Sequence, residues 1–239
     1  MKPQDSQIQR VVSVWVLMGL SVVVATVAQH GHGRTVKSEQ LNDGPAATPR
    51  LAASLILLRD MAGVPELLMV RRNPAQRFMG GYWVFPGGAV DAHEGVGEAA
   101  HRTAAVRELR EEAGVNGVRV ADLVKYGHWI TPEPLSVRFD THFYVARAPA
   151  GADGRCDGNE CVDLRWDSPR AVLDAHRGGE LALAFPTRRL LDELSAFATV
   201  DELLRDARGR TIRPMRPRIV RDGASAHVAL PGEEPTPRP

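Results

Sequence analysis

From Leu51 onward the apolar positions fall into short runs separated by turn residues. LAASLILLRD and ELLMVRR, residues 51–60 and 66–72, flank MAGVP, and two apolar runs around a Gly and Pro turn predict a hairpin. A basic connection over 71–82 leads to a further strand at Trp83, which gives way to Pro86, Gly87 and Gly88. Ala99, Ala100, Ala104, Ala105, Val106 and Leu109 then recur as one side of a helix, and Gly114 stops it, because glycine takes the left-handed conformation of a helix end without steric cost. Residues 118–130 and 136–147 predict two strands around TPEPL. The second alternates polar and apolar positions, which places Asp140 and His142 on the face opposite Phe139 and Phe143. Ser168 and Pro169 start a short helix, PRAVLDAHR, and two more helices are expected over 187–197 and 200–208, the last ended by Gly209. Strands and helices interleaved in this way predict an α/β fold.

Residues 1–48 read differently. Residues 11–28 are an 18-residue apolar run behind Lys2 and Arg10, which suits a membrane anchor or a signal peptide cleaved near Ala28. Ser13, Gly19, Ser21 and Thr26 weaken an anchor, and a natural start further on, for example at Val36, is a third reading. The expected organisation is an N-terminal extension over 1–48, an α/β domain with C-terminal helices over 49–220, and a partly disordered tail over 221–239 with a strand-like run at 226–230.

Composition adds bounds rather than detail. A chain of 239 residues that is 44% hydrophobic can bury a substantial core, and a net charge of +1 argues against a dedicated nucleic-acid binder. Cys156 and Cys161 lie in a Gly and Asp-rich stretch without His or Cys at ligand spacing, so two reduced thiols in a cytosolic protein are expected rather than a zinc site. The location expected is cytoplasmic, with membrane attachment only if residues 11–28 act as an anchor.

The candidate chemistry is on the long helix. Glu108, Glu111 and Glu112 are three and four apart, so their carboxylates share one surface and repel by a few tenths of a kcal/mol per pair, roughly. A hard divalent cation would relieve that repulsion; a solvated charged face is the plain alternative. Arg107 can reach Glu111 at the i+4 position. Upstream, Gly87 and Gly88 let the backbone turn sharply and offer a bare carbonyl to whatever the helix binds.

Gly88, then Glu94 six residues on, then RELREEAGV at 107–115 resemble the Nudix box. Every element of the helical part matches. Glu94 and Arg107 are separated by twelve residues where the family pattern has seven, which reads as a five-residue insertion before the helix. The resemblance implies an α/β/α sandwich with a mixed central sheet and hydrolysis of a nucleoside diphosphate linked to another moiety. It implies Mg2+ or Mn2+ held by Glu108, Glu112 and Glu111 with the Gly88 carbonyl, and Arg107 orienting the glutamates. A small-molecule nucleotide would be the partner, with no nucleic acid, and a homodimer is expected because the family often dimerises. RRNPAQRFMGGYWVFPGGAVD and LALAFPTRRLLDELSAFATVDELL further resemble the coenzyme A diphosphatase branch and its actinobacterial relatives. The rival reading is a non-catalytic Nudix domain that senses a nucleotide.

Outside the box, Arg71, Arg72 and Arg77 lie where they could hold phosphates bidentately, or merely solubilise a loop. Asp140, His142 and Glu133 could line the cleft or face solvent. Glu160, six residues before Trp166, matches by the resemblance a loop carboxylate that binds a metal or acts as general base. Glu112→Gln is expected to abolish hydrolysis with little change in fold, on the view that its carboxylate is exposed.

Overall fold

A computed structural model describes residues 35–36, 41, 44–222 and 225–233. The 11–28 segment lies outside the described residues, and among those described no helix is long and apolar enough to cross a membrane.

Three long strands set the architecture, and their side-chain alternation explains it. Strand β1 is Thr35–Val36, β2 is Arg50–Met61, β3 is Val64–Arg72, β4 is Tyr82–Val84 and β5 is Gly87–Ala89. After helix α1, Gly97–Ala113, come β6, Val124–Ile130, β7, Phe139–Arg147, and β8, Cys161–Asp167. Leu55, Ile56, Leu57 and Leu58 of β2 are all fully buried. So unbroken an apolar run belongs to a strand covered on both faces. Ile56 and Leu58 enter one core with Leu67 and Met69 of β3 and Val145 of β7. Leu55 and Leu57 enter the other with Leu68, Val70 and Tyr144. The first core is completed by α2, Pro169–Arg177, α3, Phe185–Leu194, and α4, Val200–Gly209; the second by α1. The mixed sheet is thus sandwiched between helices, the α/β/α arrangement expected.

The sheet runs β6-β7-β2-β3-β4-β9, where β9 is Ala182–Leu183, with β5 also on β2 and β8 also on β3. Only β2 with β7 and β4 with β9 are parallel. The β2–β3 hairpin turns on Ala62 and Gly63, at φ 51° and 81°, a two-residue turn with both positions left-handed that matches the twist of the strands. β5 takes the early part of β2 and β3 the late part. β2 therefore holds the glycine turn beside α1.

The C-terminal helices follow their caps. The Ser168 side chain accepts from Ala171 N–H at the start of α2, so Ser168→Ala should lower stability by about 1 kcal/mol in urea denaturation. Helix α3 begins at Phe185, two residues before the expected 187, because Pro186 fits the first turn, where no N–H is needed. β10, Arg218–Asp222, and β11, Ser225–Ala229, pair antiparallel, and β1 pairs with β11.

Candidate active site

Along its whole length α1 packs mostly small residues against the sheet. Ala100, Ala104, Ala105, Leu109 and Ala113 are buried, whereas Ala99 is exposed, a correction to the expected apolar side. Alanines bring the helix axis close to β2, and the side chains that share this inner face come close with it. Glu108 and Glu112 are among them, at 9% and 2% exposure. The expectation that Glu112 is exposed is therefore wrong: stepping by four from Ala100 and Ala104 leads to Glu108 and Glu112, so both carboxylates point inward.

The glycine turn receives them. A Cβ at Gly88 would lie 2.2 Å from Glu108 Oε1, and one at Gly87 2.5 Å from the Ala53 carbonyl, so only glycine permits the approach. The Gly87 N–H donates to Glu112 Oε2 at 2.9 Å. The group that the turn presents to Glu112 is thus an amide N–H.

Arg107 ties the remaining carboxylates together. Its Nε donates to Glu94 Oε1 at 3.0 Å, its Nη1 to Glu108 Oε1 at 2.8 Å and Glu111 Oε2 at 2.9 Å, and its Nη2 to the Ala89 carbonyl at 2.9 Å. Just before the insertion the chain makes a 3-10 turn over Ala92–Glu94, in which Glu94 Oε2 accepts from the Asp91 N–H at 2.7 Å. Glu94, spaced irregularly in sequence, is thereby delivered to Arg107. Those contacts hold Glu94 low and Arg107 high.

The inner carboxylates go the other way. Burial raises Glu108, and burial together with the Glu108 charge pushes Glu112 up to about 7, against the pull of Gly87 N–H and of Arg72. A carboxylate raised in the folded state costs nothing below its ordinary range and costs most once pH passes its folded value. In metal-free protein, Glu112→Gln should therefore be nearly neutral at pH 4 and stabilising by about 3 kcal/mol at pH 8, read from urea denaturation in EDTA.

Strand pairing supplies the rest of the rim. Arg72 and Cys161 are paired on β3 and β8. Arg72 Nη1 lies 3.8 Å from Glu112 Oε1, and the Cys161 thiol donates to Glu112, which with burial pushes that thiol far up. Sequence reasoning missed Cys161, which shows no sign of this role in its glycine-rich surroundings; both cysteines are free. Glu160 is exposed, its N–H donating to Asp157 Oδ2 at 2.8 Å and its carbonyl accepting from Asn73 N–H at 2.8 Å. Its charge adds a little to the rise of Glu108, behind burial and the Glu111 charge. Arg71 is half-buried, Arg77 and Glu133 are exposed, and none of them joins the carboxylates. Asp140 and His142 lie on the α1 side of the sheet, beside His128, and burial brings His142 down to about 4.

Such a set fits a hard divalent cation: buried carboxylates, more of them than the single guanidinium at 2.8–3.0 Å can neutralise, against a backbone stripped of side chains.

The NUDIX domain family matches residues 48–186. A Caenorhabditis elegans protein named "Putative nudix hydrolase 7" is 28% identical over 72% of this chain and 68% of its own length. A Mycobacterium tuberculosis protein named "Putative 8-oxo-dGTP diphosphatase 3" is 30% identical over 67% of this chain and 72% of its own. The solved structure of a Nudix hydrolase from Alicyclobacillus acidocaldarius is 25% identical, covering 66% of this chain and 96% of that one, with a TM-score of 0.60. With the family matched over more than half of its residues, and with relatives that carry nudix hydrolase and diphosphatase names, the chain belongs to the NUDIX domain family.

Proposed function

We propose that this chain hydrolyses the diphosphate of a nucleoside diphosphate linked to another moiety, with coenzyme A as the first substrate to try. The observation that carries the reading is the inward cluster of Glu108 and Glu112 against Gly87 and Gly88, with Glu111 at its exposed side. Glu108, Glu112, Glu111 and the Gly88 carbonyl would hold Mg2+ or Mn2+. When bound, the cation lowers the pKa of a coordinated water and offsets charge developing on the departing phosphate.

The chain's own groups do the positioning. Arg107 fixes Glu94, Glu108 and Glu111 in one geometry, so their rotamers need not be ordered when the substrate arrives. The Gly87 N–H and the Cys161 thiol hold Glu112 from two sides. Glu160, on an exposed loop whose backbone is pinned at Asn73 and Asp157, would accept the proton of the attacking water. Arg71, Arg72 and Arg77 lie on or just after β3, upstream of the turn, where guanidinium groups would take the substrate's phosphates.

Coenzyme A is favoured by the branch motifs around residues 71–91 and 181–204, while the name of the mycobacterial relative makes oxidised dGTP the competing substrate. The test is product release from coenzyme A, NADH, ADP-ribose, diadenosine polyphosphates and oxidised dGTP, with Mg2+ or Mn2+. Release concentrated on coenzyme A is expected. Release from another compound alone would keep the hydrolase and discard coenzyme A, and tight binding without turnover would favour a nucleotide sensor.

A further inference from the structure

Near the N-terminal end of α1 the sheet carries a cluster of imidazoles. β6 and β7 pair His128 directly opposite His142, and strand alternation puts Asp140 on the same face, two residues before His142. One ligand atom each from His128, Asp140 and His142 lies within 4.8 Å of the others, and His128 Nε2 is 2.5 Å from Asp140 Oδ1.

A second, independent feature adjoins them. His101, in the early turns of α1, is 4% exposed, and its Nδ1 lies 2.8 Å from the Gly97 carbonyl. A carbonyl accepts only from a protonated nitrogen, so in the neutral ring Nε2 is left as a lone pair. That Nε2 is buried with no hydrogen-bond partner, and the ring lies flat on His142, with centroids 3.9 Å apart and planes at 16°. A buried acceptor without a partner is destabilising, because it has lost its water and gained nothing in return. A histidine whose other nitrogen donates to a backbone carbonyl has the tautomer that metal ligation uses.

We propose that His128, Asp140 and His142 form a second metal site, for a divalent first-row transition ion such as Zn2+, with His101 packed against it. Its two imidazoles and one carboxylate favour borderline ions, whereas the all-oxygen set on the same helix favours Mg2+ or Mn2+. The seven residues from His101 to Glu108 correspond to about 10 Å of helix, so the two sites are separate. Glu98 Oε2, 3.3 Å from His142 Nδ1, orients that ring. Lys125 Nζ lies 3.0 Å from both Glu98 Oε2 and His142 Nδ1, so its ammonium competes with the ion. Because β6 is an edge strand, an ion bridging β6 and β7 would clip the edge of the sheet.

The test is Co2+ titrated into EDTA-stripped full-length chain carrying Glu108→Gln and Glu112→Gln, which disables the oxygen-rich set. One equivalent should bind, with the visible d–d bands of a nitrogen-ligated ion, displaced by Zn2+ and not by Mg2+. In that background His128→Gln with His142→Gln should remove the bands. Asp140→Asn, which keeps the shape and decides the matter if the double histidine variant is unfolded by circular dichroism, should weaken binding at least about tenfold. Lys125→Met should tighten it. Absence of the bands from the starting protein would overturn the proposal. So would bands that survive either the paired histidine change or Asp140→Asn undiminished.

Discussion

Glu112→Gln should reduce diphosphate hydrolysis by about three orders of magnitude while raising the stability of the metal-free protein. The rate loss corresponds to about 4 kcal/mol of transition-state stabilisation, the scale of a misplaced metal ion. Glutamine is isosteric, keeps an oxygen for the Gly87 N–H and removes a charge that burial opposes. Measuring kcat and a urea denaturation curve on the same preparation separates the two effects. A destabilised variant would show that the Glu112 charge is well compensated by Arg72 and Cys161. A stable variant with normal turnover would remove Glu112 from the site.

The second large effect is expected at Arg107. Among the described residues its guanidinium is the only cation within 3.0 Å of these three carboxylates, Glu94, Glu108 and Glu111, and the Glu94 side chain is just 1% exposed. Arg107→Met leaves Glu94 buried and unpaired, which should cost about 3–5 kcal/mol in urea denaturation. Adding Glu94→Gln should recover part of that loss, because the orphaned charge goes with it. Arg107→Lys should be intermediate, since a single ammonium cannot serve Glu94, Glu108 and Glu111 together. If Arg107→Met is as stable as the parent, Arg107 does not neutralise the cluster.

Legibility followed sequence distance. The helical run from Arg107 to Gly114, its glycine stop and the Ser168 cap are local, and each was readable because the residues that decide them are neighbours. Burial of Glu108 and Glu112 was readable in principle, since both continue the i+4 series of Ala100 and Ala104. A glutamate counted simply as polar hides that placement. The Arg107 to Glu94 pair spans the insertion, with Glu94 set by a 3-10 turn just ahead of it, and no spacing rule announces such a fold. Cys161 reached Glu112 through the pairing of β8 with β3, and His128 reached His142 through the β6–β7 register. Pairing partners of that kind are set by the whole sheet rather than by any one segment.

The proposed hydrolysis depends on a divalent cation held by the carboxylates on α1. The direct measurement is turnover of the best substrate in the panel as Mg2+ is added to EDTA-stripped protein. The rate should lie at background without the ion and rise to saturation as it is restored. Undiminished turnover in EDTA would contradict it.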